Sequence, residues 1–592
     1  MRNPFRRDLV LLHPPAVYDF RAHPAFLGPL ADAVPSTGMF EMYPVGLTSI
    51  AAFLERNHYN VEIINLAYRM LQDARFDVAE HVRRLDADVF GVDLHWLPHV
   101  QGALGIVDLV KQLHPDRRTL VGGLSASYYH EELIRRPSVD FVLRGDSTEE
   151  PARQLLQALR ESHPLETVEN LTWKRPDGTV VVNPMTFVPD TLDEVDVPAY
   201  RYLLRSLFKY RSLRNLVPHL EWLRYPITLL LSARGCTENC AVCGGSRFAY
   251  RQICHRERPA FRSPERLAAD VATIGSFSRA PIFMVHDPRM GGMPRAKQLF
   301  ARLERMQPPN EMIFELYYPA GDAFFSMIAR SVPTWAIEIT LESPDEALRK
   351  RNGKFPWPNA VAEATIASAL AHGCRKVDVF FMTGLPGQRY EDALAIADYC
   401  ERLLERFGGD RRVHPFVAPL GPFLDPGSRA FEQPEFGYTT IGRTLEAHHR
   451  AFLHAGWHRI LSYETTAMTR DDIVRATYDV AERLNALKRR YGLIDEQTFE
   501  EVQFRLTIAR QIVASGDDDA DLSGPAAELA NHRTMFGDNE LKWPLDQRFR
   551  VGAALLQNLT LGLLDEFRHT AARLVNRYDV APLRTGRAAS RV

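Results

Sequence analysis

Short apolar runs alternate with amphipathic stretches over roughly the first 160 residues of the chain. The stretches YPVGLTSIAAFLER and GALGIVDLVKQLH place apolar residues on one helical face. The runs have the length and β-branched content of buried strands, and they are RRDLVLLHPP, NVEIIN, DVFGVDLHW, RTLVGGLSAS and VDFVLRGD. This alternation predicts a doubly wound, Rossmann-like α/β domain with a parallel sheet, whose ligand binds beyond the carboxyl ends of the strands.

A second alternating pattern begins at Pro226. Its six strand candidates are ITLLLSA, APIFMVHD, EMIFELYY, TWAIEITLE, KVDVFFMTG and RVHPFVAPL. Six such units predict an incomplete parallel (β/α)6 barrel with reactive groups at the carboxyl ends of its strands. The segments Ser263-Pro264-Glu265 and Ser343-Pro344-Asp345-Glu346 are typical helix starts, and in the second Ser343 is a candidate N-cap with Glu346 closing a capping box.

The remaining segments differ from both patterns. Residues 161–226 contain polar turns such as RPDGT and VDVPAY, which predict a linker packed between domains. The stretch TRDDIVRATYDVAERLNALKRRYG predicts a helix capped by Thr469 and stopped by Gly492. We therefore expect three domains, at residues 1–205, 206–430 and 431–592, the last mainly helical.

The composition excludes several classes of function. The 592 residues include 72 Lys plus Arg against 74 Asp plus Glu, so no basic surface for nucleic acid is expected. No apolar run is long enough to cross a membrane, and the N-terminus lacks the apolar length of a signal peptide. With only six cysteines, we expect a cytoplasmic protein with reduced thiols.

Three of the six cysteines are clustered as CxxxCxxC directly after the first barrel strand, at Cys236, Cys240 and Cys243. Soft thiolates at this spacing indicate a metal site, one ligand short of a closed structural centre. Cys254 and His255 could complete a zinc site, which is the alternative interpretation. Cys374 and Cys400 lie in apolar helical settings and are expected to be buried.

The first domain resembles the cobalamin-binding domain of many radical S-adenosylmethionine enzymes, through YPVGLTSIAAFLERNHYNVEIIN, DVFGVDLHW, LVGGLSAS and VLRGDSTEEPARQLL. The region from HPPAVYDF to MYPVG lacks the DxHxxG motif that supplies a histidine to cobalt in other cobalamin domains. The resemblance implies cobalamin contacts from Tyr68, Arg69, Asp93, Leu94, His95, Gly122, Gly123, Leu124, Ser125 and Asp146. It places Tyr68 and Arg69, in the predicted loop LAYRML after the second strand, below the corrin. Arg69 could equally be a surface residue, and the glycine pair a plain tight turn.

The second domain resembles the radical S-adenosylmethionine superfamily, through the cysteine loop, ESPD, GLPGQ and PFLDPGS. In that family three cysteines hold a 4Fe-4S cluster whose fourth iron is left open for S-adenosylmethionine, so Cys236, Cys240 and Cys243 are the implied cluster ligands. Matching positions near S-adenosylmethionine are Glu342, Ser343, Met382, Gly384 and Pro386. The family usually has an aromatic residue before the third cysteine, and Val242 departs from it.

Together the two resemblances imply transfer of a methyl group from S-adenosylmethionine through methylcobalamin to carbon, with an external electron donor for reactivation. Length, three-domain layout and the irregular cluster motif resemble the tryptophan 2-C-methyltransferases of thiopeptide antibiotic biosynthesis, which implies tryptophan as the small-molecule substrate. An indole carbon is itself nucleophilic, so we expect polar transfer, with His286, Asp287 and Glu315 as candidate bases at strand ends. Tyr463 and Glu464 are candidate substrate contacts.

Three alternatives remain open from the sequence. An enzyme of the same architecture could methylate an unactivated carbon by a radical route, or catalyse a cyclisation without methylation. A cobalamin carrier or sensor with a structural zinc would use the cysteines differently. Product mass separates methylation from cyclisation, and metal analysis separates zinc from iron.

Overall fold

The fold is described from a computed structural model that covers residues 6–22, 41–220, 222, 227–355, 357–421, 424–454, 456–514, 560–564 and 567. Within these ranges, no helix is both long enough and apolar enough to cross a bilayer.

The N-terminal sheet has seven strands in the order β2-β1-β3-β4-β5-β6-β7. The first five are parallel, and the last two add to the edge as antiparallel strands. The strands are β1 (Arg7–His13), β2 (Val61–Asn65), β3 (Ala87–Asp93), β4 (Arg118–Gly122), β5 (Phe141–Leu143), β6 (Leu171–Lys174) and β7 (Val180–Val182). The five predicted strands and the doubly wound parallel arrangement are thus confirmed.

Helices cover both faces of this sheet. They are α1 (Val45–Arg56), α2 (Leu66–Gln72), α3 (Val78–Arg83), α4 (Val100–Leu113), α5 (Leu124–Tyr128), α6 (His130–Arg135), α7 (Glu149–Glu161) and α8 (Tyr200–Tyr210). Alternate residues of β1 belong to different cores, because successive side chains of a strand point to opposite faces. Leu9 and Leu11 pack with α1 and α7, whereas Val10 and Leu12 pack with α4.

Two segments differ from the sequence prediction. The expected linker contains β6, β7 and α8, since the polar turn RPDGT closes a hairpin on strands too short to show a clear alternation. The segment LAYRML is helix α2 rather than a loop, and its first turn is capped by the Asn65 side chain, which accepts from the Tyr68 N–H.

The second domain contains a six-stranded parallel sheet in the order β15-β14-β13-β12-β11-β8. Neighbouring strands are joined through helices, which confirms the incomplete barrel, called the partial barrel below. Its strands are β8 (Thr228–Leu231), β11 (Ile282–Val285), β12 (Met312–Leu316), β13 (Trp335–Glu342), β14 (Val377–Thr383) and β15 (Val413–Pro419), and a short antiparallel pair is β9 (Ala233–Arg234) with β10 (Ala260–Phe261). The helices are α9 (Arg247–Cys254), α10 (Pro264–Phe277), α11 (Met293–Met306), α12 (Asp322–Ser331), α13 (Glu346–Arg351), α14 (Asn359–Ala371) and α15 (Tyr390–Arg406).

Most C-terminal elements pack on the partial barrel, whereas Leu445, Phe452 and Ile460 pack with the core of the N-terminal domain. The C-terminal elements are α16 (Arg429–Glu432), β16 (Tyr438–Thr440), α17 (Leu445–Ala451), α18 (Trp457–Ile460), β17 (Tyr463–Thr465), α19 (Arg470–Arg490) and α20 (Glu496–Ala514). Helix α19 confirms the predicted helix, because Thr469 and Asp472 form a capping box. Its Ile473 and Leu484 share one core with the barrel residue Phe381. The helical prediction for residues 515–592 lies outside the described residues, apart from 560–564 and 567.

Candidate active site

A cavity of about 350 Å³, here called the interdomain cavity, begins between the N-terminal sheet and helices α1 and α7. This inner part is apolar, and it is lined by Leu9, Leu11, Leu47, Ile50, Leu120, Leu143 and Ala152. Glycine at position 91 of β3 keeps the slot open, because an added Cβ would lie 2.9 Å from Leu11 Cδ2. The cavity therefore offers a deep apolar slot beside the sheet.

The outer part of the interdomain cavity joins the two sheets. Asp93, His95 and Gly122 contribute from the carboxyl ends of β3 and β4. Val285 and His286 contribute from the end of β11 in the partial barrel. The carboxyl ends of both sheets thus face one shared space.

Six of the predicted cobalamin contacts line this cavity, namely Asp93, His95, Gly122, Gly123, Leu124 and Asp146. Glycine at position 123 is required by the surrounding protein backbone more than by a ligand. Its φ is +123°, and an added Cβ would lie 2.5 Å from Leu94 O and from His95 Cα. Gly122 leaves more room, since its nearest atom would be Leu143 O at 3.8 Å.

The other four predicted contacts do not line the cavity, and their role in cobalamin binding stays a prediction. Because LAYRML is helical, Tyr68 is buried in α2 and Arg69 Nη1 donates to Asn215 Oδ1 at 2.6 Å. The Leu94 N–H donates to Gly122 O, and Ser125 Oγ donates to His95 O. The side chains of Arg69 and Ser125 thus contact other parts of the protein.

Asp93 holds a negative charge at the edge of the cavity. Its Oδ2 accepts from His13 Nδ1 at 3.0 Å, and the His99 ring lies 4.8 Å from the His13 ring. Burial alone would raise the pKa of Asp93, but the hydrogen bond from His13 and the nearby histidines lower it overall. An ionised carboxylate therefore lies beside the mouth of the slot.

The cysteine loop follows β9, whose Ala233 and Arg234 line the interdomain cavity. Glu238 N donates to Cys236 Sγ at 3.3 Å and Gly245 N donates to Cys243 Sγ at 3.2 Å. Such N–H groups stabilise thiolate charge, as in iron–sulfur sites. Gly244 N donates to Asp425 Oδ2 at 2.8 Å, which anchors the loop to the segment after β15.

The electrostatics of the three thiols fit a cationic cluster. Burial raises the pKa of Cys236 to about 11 and that of Cys240 to about 12. The pKa of Cys243 is raised by its enclosure and then by the neighbouring Cys240 thiolate, so the three sulfurs act on one another. Among the described residues, no group of three or more His, Cys, Asp or Glu side chains is arranged so that it could hold a metal ion. A cluster would supply the positive charge that three adjacent thiolates require.

The zinc alternative lacks its fourth ligand. Cys254 is buried in a small apolar cluster with Ala249 and Ile253, and the pKa of its thiol is raised by burial and then by Asp146. His255 is exposed at the end of α9. Cys374 and Cys400 are fully buried, as expected.

The hydrogen-bond partners of Asp287 argue against its role as a base. Its two oxygens accept from Arg289 Nε at 2.9 Å and Nη2 at 2.7 Å, and Oδ2 also accepts from the Tyr317 N–H at 2.7 Å. The side chain is fully buried. Asp287 therefore holds the ends of β11 and β12 together rather than taking a substrate proton.

His286 presents an acceptor nitrogen to the interdomain cavity. Its backbone has φ +74°, an uncommon conformation for a residue other than glycine, and its N–H donates to Glu315 Oε2 at 2.7 Å. Ser232 Oγ donates its only proton to Val285 O at 2.8 Å, so His286 Nδ1, 3.3 Å away, must be the donor to that oxygen. This fixes the tautomer and leaves Nε2 unprotonated. Burial lowers the pKa of His286 to about 4, and the ring is neutral at pH 7.

Glu315 lies behind His286 in the partial barrel. Its Oε2 also accepts from the Tyr317 hydroxyl at 3.3 Å, and burial raises its pKa. Glu315 pairs across the sheet with Glu338, whose pKa burial and then the Glu315 charge raise well above the ordinary value. The negative charge of Glu315 therefore disfavours ionisation of Glu338.

The predicted S-adenosylmethionine positions lie at the ends of β13 and β14. Glu342 has φ +68° at a bulge and accepts from Asn352 Nδ2 at 2.8 Å, and burial raises its pKa. Ser343 is fully buried beside it. The N-cap of α13 is Asp345, not Ser343, because the Asp345 carboxylate accepts from the Ala347 N–H.

The GLPGQ turn after β14 is held by one side chain. Gln388 Oε1 accepts from the Gly384 N–H at 2.9 Å, and its Nε2 donates to Met382 O at 3.0 Å. Pro386 belongs to the same turn and packs near Gly437. Tyr463 covers the turn, since a Cβ on Gly384 would lie 2.8 Å from its hydroxyl. Met382, Gly384 and Pro386 thus form one rigid corner.

The two predicted substrate contacts separate in the structure. Tyr463 is fully buried and donates to Gly421 O at 3.2 Å. Glu464 lines a different cavity of about 580 Å³, at the start of α19, and accepts from the Arg470 N–H. Neither residue lines the interdomain cavity.

The sequence reasoning missed the charged residues that join the two domains. Arg234 and Glu149 line the interdomain cavity and form a buried ion pair. The available signal was the position of Arg234, a charged residue between an apolar strand and the cysteine loop. Its partner could not be identified because the contact joins residues 85 positions apart.

Comparison with known proteins agrees with these features. Residues 34–154 match the family model of the B12 binding domain. A cytidylyl-2-hydroxyethylphosphonate methyltransferase of Streptomyces wedmorensis is 21% identical over 411 residues, which are 61% of this chain and 73% of that protein.

Two solved structures share the fold. TsrM from Kitasatospora setae, a radical S-adenosylmethionine methyltransferase with cobalamin and a 4Fe-4S cluster bound, aligns with a TM-score of 0.56 and 14% identity over 86% of this chain and 100% of that chain. Another structure of TsrM holds tryptophan and an S-adenosylmethionine analogue. OxsB, a cobalamin-dependent S-adenosylmethionine radical enzyme with aqua-cobalamin bound, aligns with a TM-score of 0.55 and 13% identity over 97% of this chain and 82% of that chain. The chain thus contains a region that matches the B12 binding domain, and it shares its fold with cobalamin-binding radical S-adenosylmethionine enzymes.

Proposed function

We propose that the chain is a C-methyltransferase that uses cobalamin, a 4Fe-4S cluster and S-adenosylmethionine, and that its substrate is tryptophan, methylated at carbon 2. The observation that carries the proposal is the interdomain cavity, in which the carboxyl ends of both sheets face each other. Ligands of both fold types bind at these strand ends. Two cofactors held there would share one reaction space.

The residues present fit cobalamin. The apolar slot beside β1 and β4 suits the nucleotide tail, and Gly122 leaves space for a bulky ring at the strand end. When bound, cobalamin supplies the carrier of the methyl group between S-adenosylmethionine and the substrate carbon. The ionised Asp93 at the slot mouth holds His13 in one orientation.

We propose tryptophan as the substrate because methylation of an indole carbon requires a base that accepts the N–H proton more than it requires a radical. His286 has an unprotonated Nε2 and borders the same space as the slot. We assign it the role of accepting the indole N–H proton as the methyl group is transferred, with Glu315 fixing its backbone. TsrM, which shares the fold, has been solved with tryptophan bound.

The test is turnover of tryptophan under anaerobic conditions with S-adenosylmethionine carrying a deuterated methyl group. We expect labelled 2-methyltryptophan, with 5′-deoxyadenosine far below the amount of methylated product. One equivalent of 5′-deoxyadenosine per methyl group would contradict the polar route. Unlabelled 2-methyltryptophan would exclude S-adenosylmethionine as the methyl source. Absence of any methylated tryptophan, from protein that holds both cofactors, would exclude tryptophan.

Reactivation is expected to need an external electron donor in the cytoplasm, which is the other partner we propose. Omission of any reductant from the same assay should limit each chain to a few turnovers.

A further inference from the structure

Two arginines on either side of the cysteine loop reach into the cobalamin-binding domain. Arg234 lies two residues before Cys236 and donates to both oxygens of Glu149, at 2.6 Å and 3.0 Å. Arg256 lies two residues after helix α9 and donates to both oxygens of Asp146, at 2.5 Å and 2.9 Å. The segment that carries all three clustered cysteines is therefore attached to the neighbouring domain at both ends.

Both pairs are withdrawn from solvent and fully partnered. Arg256 and Glu149 are each 2% exposed. Ser49 Oγ donates to Glu149 Oε1 at 2.5 Å, and Arg256 Nη1 donates to Pro189 O at 2.8 Å. A buried bidentate contact between a guanidinium and a carboxylate fixes the angle between the two groups as well as their distance. An apolar contact does not fix the angle.

The backbone between the two arginines passes close to the Arg256 side chain. Gly235 has φ +89°, and an added Cβ would lie 2.8 Å from Arg256 Cδ. The two guanidinium groups therefore enter the interface next to each other, and each approaches Ser147 Oγ, at 3.1 Å from Arg234 and 3.3 Å from Arg256. Ser147 lies between the two acidic residues, so the four charges form one connected network.

We propose that the Arg234–Glu149 and Arg256–Asp146 pairs are positioning residues that set the separation and tilt of the cobalamin slot relative to the cysteine loop. Asp146 and Glu149 begin the segment that closes one wall of the slot, while the arginines bracket the cluster ligands. Any movement of one cofactor site relative to the other must break a bidentate contact. The inference rests on the proposed function, because it requires both cofactors.

The experiment measures the magnetic interaction between cob(II)alamin and the reduced cluster by pulsed electron paramagnetic resonance, using the full-length protein with both cofactors bound. The wild-type protein should give one narrow distribution of distances. The double variant Glu149→Gln, Asp146→Asn keeps side-chain shape and removes the charge, and we expect a shifted or clearly broadened distribution. We also expect kcat to fall at least tenfold with KM for the substrate within about twofold.

A matched control is available inside the partial barrel. Lys376 and Asp378 form a buried ion pair at the start of strand β14, with Lys376 Nζ 2.8 Å from Asp378 Oδ1 and 3.1 Å from Oδ2. Asp378→Asn should therefore leave the distance distribution at the wild-type value. If the double variant does not fold with both cofactors, Ser49→Ala, which removes one donor to Glu149, is measured instead and should broaden the distribution.

The outcomes separate this inference from the proposed function. A wild-type protein that cannot hold both cofactors overturns the proposed function and this inference with it. A wild-type distribution in the charge-removing variant and in Ser49→Ala overturns this inference alone. If Asp378→Asn changes the distance distribution as much as the double variant does, the effect is a general loss of packing, and this inference is overturned as well.

Discussion

His286 combines three features that rarely occur together in one residue: a left-handed backbone, a fixed tautomer and a lowered pKa. Each has a separate cause, namely the hydrogen bond from its N–H to Glu315, the saturated Ser232 hydroxyl and burial. Strained backbone of this kind is found where function requires it. At this scale the candidate site consists of groups held in one protonation state.

The lowered pKa of His286 makes a prediction about stability. An ordinary histidine in the unfolded chain has a pKa near 6.5, and in the folded chain the value is about 4. The folded state therefore binds fewer protons between these values, and its free energy of unfolding falls as pH drops from 6.5 towards 4. His286→Gln should remove part of that decline, at most about 3 kcal/mol.

The measurement is urea unfolding of the protein between pH 4 and pH 7. Equal slopes against pH for wild type and His286→Gln would contradict the assignment. His448 serves as the control, because burial also lowers its pKa to about 4 although it lies on helix α17, and His448→Gln should flatten the decline similarly without affecting methyl transfer.

Individual residues were predictable from the sequence to the extent that local chemistry determines their role. The cysteine loop is contiguous, so its three thiols stand together in any fold of this kind. The partners of Asp287 and Arg69, the Tyr317 N–H and Asn215, could not be predicted because they are distant in sequence. A strand-end position predicts that a side chain is near the site but not that its oxygens are free.

Among the elements, the GLPGQ turn after β14 has the strictest backbone requirement. Gly384 has φ +85°, and an added Cβ would lie 2.8 Å from the Tyr463 hydroxyl and 3.4 Å from Ile473 Cγ2. Tyr463 is fully buried and cannot move away easily. The turn therefore tolerates neither an altered φ nor an added methyl group.

Gly384→Ala is predicted to destabilise the protein by about 2 to 4 kcal/mol, combining backbone strain with a steric clash. Gly178 is a matched control, since its φ of +86° is nearly the same and no atom lies within 4 Å of an added Cβ. Gly178→Ala should cost only the strain, about 1 kcal/mol. Equal losses in thermal unfolding experiments would show that Tyr463 does not restrict the turn.

Elements that belong to a regular pattern were predicted well, and isolated short ones were not. The six barrel strands alternate with helices, although β8 and β11 have only four residues each, and helix α19 has 21 residues. Strands β6 and β7 have four and three residues, and their pairing with β5 depends on a hairpin that a proline-containing polar segment hides. Helix α2 was mistaken for a loop because its cap, Asn65, is also the last residue of β2.

In the whole molecule, the two sheets present their carboxyl ends to a common cavity while the cofactor sites remain separate. The apolar slot lies entirely in the first domain, and the cysteine loop lies entirely in the second. The domain contact could not be predicted from the sequence, since its ion pairs join positions 85 and 110 residues apart. We therefore expect that a substitution can abolish binding at one cofactor site and leave the other site intact.

Ala152→Phe fills the slot from helix α7 and is predicted to lower cobalamin affinity at least tenfold, because the larger side chain occupies the space proposed for the nucleotide tail. Iron content should stay at the wild-type value. Ala158→Phe on the same helix is the control, as Ala158 is buried but does not line the cavity. Equal loss of cobalamin from both variants, measured by equilibrium binding, would place the effect on folding rather than on the slot.

The central claim is that one chain holds a cobalamin and an iron–sulfur cluster in two separate sites. The most direct test is the iron, sulfide and cobalamin content of anaerobically reconstituted wild-type protein and of the triple variant Cys236→Ala, Cys240→Ala, Cys243→Ala. We predict four irons and one cobalamin per wild-type chain, and one cobalamin without cluster iron in the folded variant. Full iron in the triple variant, or wild-type protein that binds no cobalamin, would contradict the account.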